Sequence, residues 1–188
     1  LEGNRLTHRY FRFTKEIIDL TAGNFYEQFG NGLIFRAFES RELGINNSLD
    51  GVKVVFSPAN FIKLKAVYGK QKKYLDNGNS FIRGLDADLL IDSLLQTSIG
   101  LKFGTGIISR YEPYTGSVSD FPATVNASSF RVSLNRKKIE FNSELAFKTK
   151  DPTLKNLYSY LKGTALLMNG SYVTSGFGLF FSIRFLDN

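Results

Sequence analysis

Apolar and polar residues alternate with a period of two along most of this chain, the spacing of strands with one apolar and one polar face. Ile18, Leu20 and Ala22 oppose Asp19 and Thr21, and Ile62, Leu64, Ala66 and Tyr68 oppose Lys63 and Lys65. Leu85, Ala87, Leu89 and Ile91 oppose Asp86 and Asp88, while Ile139, Phe141, Leu145 and Phe147 oppose Glu140, Asn142, Glu144 and Lys148. The pattern predicts ten strands, over residues 6–14, 17–25, 52–57, 61–69, 81–91, 95–110, 129–135, 139–148, 164–173 and 177–186.

The alternation fails between Gly23 and Gly51, GNFYEQFGNGLIFRAFESRELGINNSLDG. Here aromatics (Phe25, Tyr26, Phe29, Phe35, Phe38) mix with charges (Glu27, Arg36, Glu39, Arg41, Glu42) and neither is given a side. Such a segment suits neither a lipid-facing strand nor an exposed hairpin tip. The connections add a second signal, because short and long ones alternate on this parsing. Lys15-Glu16, 57–60, 92–94, 136–138 and 174–176 are turn-sized, whereas 26–51, 70–80, 111–128 and 149–163 are long. Outer-membrane barrels carry this asymmetry, with short periplasmic turns and long extracellular loops.

These features predict an all-β fold: an antiparallel transmembrane β-barrel, with residues 1–188 as one barrel domain and residues 26–51 folded inward as a lumen loop or plug. Side chains alone cannot fill the lumen of so wide a barrel, and the 26–51 segment is the natural occupant. On this parsing both chain ends lie on the long-loop side. The expectation is therefore that the ten strands are an internal portion of a larger barrel.

Composition permits this reading. No apolar run approaches the roughly 18 residues that a transmembrane helix needs, and mean hydropathy is near zero. A barrel wall needs only alternate residues apolar. Aromatic content is 14%, with 18 Phe and 9 Tyr, which suits interfacial girdles, although Trp is absent. The chain has no Cys, hence no disulfide or thiolate chemistry, and its net charge of +7 fits anionic headgroups, an anion-favouring pore or nucleic acid. The basic residues are spread over many strands instead of forming one patch, which argues against nucleic acid.

Three blocks resemble a family of uncharacterised outer-membrane β-barrel proteins of Bacteroidota, catalogued as a domain of unknown function. They are GNFYEQFGNGLIFRAFESRELGINNSLDGV (Gly23 to Val52), RYEPY with the later FP (Arg110 to Tyr114, Phe121-Pro122) and KGTALLMNGSYVTSGFGLFFSIRFLDN (Lys162 to Asn188). The resemblance implies location and fold, and that members run longer than 188 residues; it implies no activity.

Candidate chemistry is sparse. His8 is the single histidine and has no nucleophile or carboxylate motif beside it, so no enzyme, cofactor or transition-metal site is expected. Asp86, Asp88 and Asp92 spread along one strand face over roughly 20 Å, too far for one calcium ion. The glycines of the 23–51 segment have no phosphate-loop context and serve its backbone conformation. Charges inside a lumen must find partners, which makes Tyr26, Glu27, Gln28, Arg36, Glu39, Arg41, Glu42, Lys63 and Lys65 the candidate constriction residues. Arg36, Arg41, Lys63 and Lys65 would bias such a lumen toward anions. The expected function is a porin-like channel of the bacterial outer membrane, or a structural subunit of an envelope complex. Its partners would be outer-membrane lipid and lipopolysaccharide, met by Lys70, Lys72 and Lys73, and other envelope proteins or lipoproteins. The alternative is a soluble β-rich ligand-binding module with an apolar interior.

Overall fold

The computed structural model describes residues 8–73, 76–91, 99–112, 123–151 and 162–187. It is all-β. Ten long strands form one antiparallel meander in the order β1-β2-β7-β8-β9-β10-β11-β12-β13-β14. They are β1 (Tyr10–Lys15), β2 (Ile18–Phe25), β7 (Leu49–Ala59), β8 (Ile62–Lys73), β9 (Asp76–Leu90), β10 (Gly100–Tyr111), β11 (Thr124–Arg136), β12 (Ile139–Lys148), β13 (Gly163–Thr174) and β14 (Phe177–Asp187). Each of the ten predicted strands is present, most of them longer than the alternation alone suggested. Polar residues at the loop ends, such as Asn126 and Lys72, break the pattern without breaking the ladder.

The sheet is not closed. β1 and β14 are its two edges and do not pair with each other, so the described residues form a curtain where a barrel was expected. The connections also differ from the expected alternation. Four hairpins turn in two residues, 16–17, 60–61, 137–138 and 175–176. Positive φ at Glu16, Lys137 and Gly176 supplies the left-handed backbone that tight hairpins need. On the opposite edge, however, the predicted 70–80 loop does not exist. β8 runs on to Lys73 and β9 begins at Asp76, so Lys70 and Lys72 are strand residues. β9 ends at Leu90 and β10 begins at Gly100; the short connection expected at 92–94, Asp92 included, lies outside the described residues.

Cross-strand register assigns two faces. On one face Val54, Ala66, Leu85, Ile107, Ser128 and Phe147 follow one another across β7 to β12. On the other, Lys65, Asp86, Gly106, Ser129 and Ala146 do so across β8 to β12. The burial is inverted relative to a soluble protein. Leu64, Leu85, Phe103, Ile107, Phe130 and Phe147 are exposed, whereas Asp86, Ser129, Arg131 and Glu144 are buried.

What buries the polar face is the insertion between β2 and β7. It consists of two small hairpins, β3 (Glu27–Gln28) with β4 (Arg36–Ala37) and β5 (Glu39–Ser40) with β6 (Ile45–Asn46). The insertion ends at residue 48, because Leu49, Asp50 and Gly51 belong to β7, where they had been expected in the loop. The apolar core lies at this junction: Phe29, Phe35 and Ala37 of the insertion meet Phe25, Leu49, Val67, Ile82 and Ile108 of the sheet. Phe29 has no exposed surface and packs edge-on against Phe35 with ring centroids 5.1 Å apart. Its seat exists because position 84 has no side chain. A Cβ there would meet Ile108 Cδ1 and lie 2.8 Å from Phe29 Cε2.

A Gly84→Val substitution is accordingly expected to destabilise the fold by about 1–3 kcal/mol through overpacking and to unseat the insertion. Denaturant unfolding and limited proteolysis within residues 26–48 measure the two effects. Unchanged protease resistance would contradict the packing described.

Candidate functional site

Two charged clusters lie on the covered face, and the insertion touches both. In the first, β3 brings Glu27 over β7 and β8. Lys65 Nζ donates to Glu27 Oε1 at 2.8 Å and Lys53 Nζ lies 3.3 Å from Oε2, with all three side chains mostly buried. Lys65 also donates to the Gln28 carbonyl at 3.1 Å, and the Gln28 N–H donates to Glu27 Oε1 at 3.0 Å. Burial by itself pushes the Glu27 carboxyl up; the Lys65 and Gln28 hydrogen bonds and the Lys53 charge outweigh it, and the group ends below its usual range.

The second cluster runs across β9, β10, β11 and β12. Arg131 donates to Asp86 at 2.6 Å and to Asp88 at 3.1 Å, and Lys102 binds the other oxygen of Asp88 at 2.9 Å. Glycines open the room for this: a Cβ at Gly104 would lie 2.6 Å from Arg131 Nε and one at Gly106 2.7 Å from Asp86. The insertion caps the cluster. The Asn31 N–H donates to Glu144 Oε2 at 2.7 Å, and Gly30, at φ +52°, lies where a Cβ would overlap the Arg131 side chain. Glu144 is fully buried, and its second oxygen has no hydrogen-bond partner among the described residues.

Of the residues singled out from sequence, the structure joins Glu27, Gln28 and Lys65. Gln28 Nε2 also donates to the Gly30 carbonyl at 2.8 Å. Tyr26 belongs to a separate, more exposed group, with its hydroxyl donating to Glu39 and accepting from Asn46, both at 3.1 Å. His8 stacks on the Tyr26 ring at 5.8 Å, with no nucleophile beside it among the described residues. Arg36 lies over the Phe38 ring at 4.9 Å, Arg41 is 3.7 Å from Glu39, and Arg41, Glu42 and Lys63 are exposed. The structure does not gather Arg36, Arg41, Lys63 and Lys65 into one cationic ring. Lys53, Arg131 and Glu144 were missed as site residues, since only the pairing of distant strands aligns them with Glu27 and Asp86. Their signal in the sequence was a charge at an alternating position, which many surface residues share. Among the described residues no group of three or more His, Asp or Glu is placed to hold a metal ion.

The family model of DUF6029, a family of unknown function, matches residues 1–188. The chain belongs to this family. No curated protein and no solved structure matches it. In this DUF6029 chain the described residues of the covered face carry ion pairs and hydrogen bonds that meet the insertion. Its chemistry is electrostatic docking of the insertion.

Two outcomes follow from the clusters. Because the folded-state pKa of Glu27 is depressed, its contribution is fully present above the unfolded value of about 4.3 and is lost as pH falls through the lower folded value. Hydrogen exchange at residues 26–37 should therefore accelerate below about pH 4, and Glu27→Gln should show the faster exchange already at neutral pH. Equal protection in the variant and the parent would refute this. In the second cluster, Arg131→Met should cost about 3–5 kcal/mol, because Asp86 is left buried without its cation. Pairing it with Asp86→Leu should recover much of that loss in denaturant unfolding.

Proposed function

We propose that this chain is part of the wall of a bacterial outer-membrane β-barrel, and that the 26–48 insertion is a folded-in constriction that narrows its lumen. One observation carries the reading: the inversion of the two faces. Leu85 is 62% and Phe130 60% exposed, while Glu144 is 0% and Arg131 6% exposed on the opposite side. An apolar surface of this extent marks a lipid or protein interface, and its alternation with an inward polar face is the barrel-wall pattern.

Strand length supports it. β8 to β14 run from 10 to 15 residues, at or above the roughly 9–11 that cross a bilayer. β14 continues the apolar face with Phe177, Leu179, Phe181, Ile183 and Phe185, all exposed. In this reading the β1 and β14 edges join a continuing antiparallel wall, which removes two open edges that would otherwise invite aggregation. A soluble module with an apolar interior would instead need a second layer over Leu64, Leu85 and Phe130; among the described residues no element covers them.

The insertion sets the width of the lumen, and its Glu27 carboxylate binds both Lys53 and Lys65 and offsets one of their two positive charges. The barrel is thus a non-enzymatic channel that is largely closed while the insertion is docked. The test combines location and conductance. The full chain should fractionate with the outer membrane and require detergent, and planar-bilayer recordings should show a several-fold larger conductance when residues 27–47 are replaced by a short glycine-serine link. Recovery as a soluble globular protein without detergent would overturn the membrane reading, and absence of conductance after the replacement would overturn the channel.

A further inference from the structure

On the apolar face, β7 to β11 enclose a depression of about 500 Å³. Val54, Ala66 and the backbone of Gly84 form its floor, and the more exposed Val52, Tyr68, Leu85 and Ile107 form its walls. Cross-strand register orders its contents by depth. Arg83 pairs with Tyr68 and Ser109, and Ser109 with Asn126, one step in from the loop-side edge marked by Phe81 and Tyr111. Leu85, Ala66, Val54 and Ile107 lie roughly 7 Å further from that edge.

Two polar groups in this depression have no partner among the described residues. Ser109 is 9% exposed and its hydroxyl makes no hydrogen bond among the described residues. Arg83 is exposed beside the apolar side chains Tyr68, Leu85 and Ile107 and forms no ion pair among the described residues. A second cation stands nearby: Lys70 projects from the same face opposite Asp50, with its Nζ 4.8 Å from the Phe81 ring centroid. A guanidinium on a lipid-facing surface is strongly disfavoured at the midplane and tolerated near the interface, and it is the side chain best suited to a phosphate.

We propose that this depression is a specific binding site for a phosphate-bearing lipid. The phosphate sits on Arg83 and Lys70, an ester or hydroxyl oxygen accepts from Ser109, and an acyl chain lies on the Val54 and Ala66 floor. The site rests on the outer-membrane reading given above. Free inorganic phosphate lacks the acyl chain that the apolar floor receives, so the lipid is the occupant.

Native mass spectrometry of the full chain released from detergent micelles tests it, with dioleoyl phosphatidic acid and dioleoylglycerol as probes. The parent should retain the phosphatidic acid at least tenfold more than the diacylglycerol, and excess inorganic phosphate should not displace it. Arg83→Gln should abolish the preference, and Ala66→Phe, which fills the floor, should reduce retention of both lipids. Arg136→Gln, at the far end of the same face, should change nothing. Folding of each variant is checked by far-UV circular dichroism and by heat-modifiable gel migration. Equal retention of the two lipids by a folded, micelle-embedded parent would overturn the lipid site alone, as would an unchanged preference in Arg83→Gln. Failure of the parent to enter micelles or vesicles would overturn the membrane reading and the site with it.

Discussion

Docking of the 26–48 insertion on the charged face of the sheet is the constraint on which the rest of the structure depends. A sheet face carrying Lys53, Lys65, Asp86, Asp88, Arg131 and Glu144 has two stable environments, open water or a cover that supplies complementary groups. The insertion is such a cover. It brings Glu27 to the two lysines and the Asn31 N–H to Glu144, while Phe29 and Phe35 add the apolar contact that holds these ends in place. The fold therefore has its dry core on the side that the sequence makes polar.

That arrangement has a consequence for the opposite face. In an antiparallel ladder, moving a strand by one residue exchanges its faces. Charges anchored by the insertion on β8, β9, β11 and β12 therefore fix which residues point away from it. Leu64, Leu85, Ile107, Phe130 and Phe147 are directed outward because Lys65, Asp86, Ser129, Arg131 and Glu144 are held inward. The outward apolar surface and the inward ion pairs are two results of one choice of register. The proposed membrane location and the proposed constriction both rest on it.

The arrangement also explains where glycine is used. Gly30 permits the insertion to pass over Arg131, and Gly84 receives Phe29. Gly104 and Gly106 leave space for the guanidinium between two aspartates. Each sits where a side chain would separate the insertion from the sheet or the cation from its anions. On β13 and β14, which the insertion covers less, apolar residues such as Phe180 and Leu186 occur on the inner face as well, and both are exposed.

Much of this was legible in one dimension. Period-two alternation identified all ten strands, and its failure between Gly23 and Gly51 marked the insertion, because both are local properties of the chain. Strand ends were less legible: β8 and β9 extend through polar residues such as Lys72 and Asn77, where ladder hydrogen bonds override the hydrophobic pattern. Alternation showed that two faces exist but could not say which would be covered, since both are compatible with the same period. Tertiary structure decided that by setting the insertion against the charged side. It also chose the partners, joining Glu27 to Lys53 and Lys65 and Asp86 to Arg131 while leaving Arg41, Glu42 and Lys63 exposed, because an ion pair requires a distance that only the cross-strand register supplies.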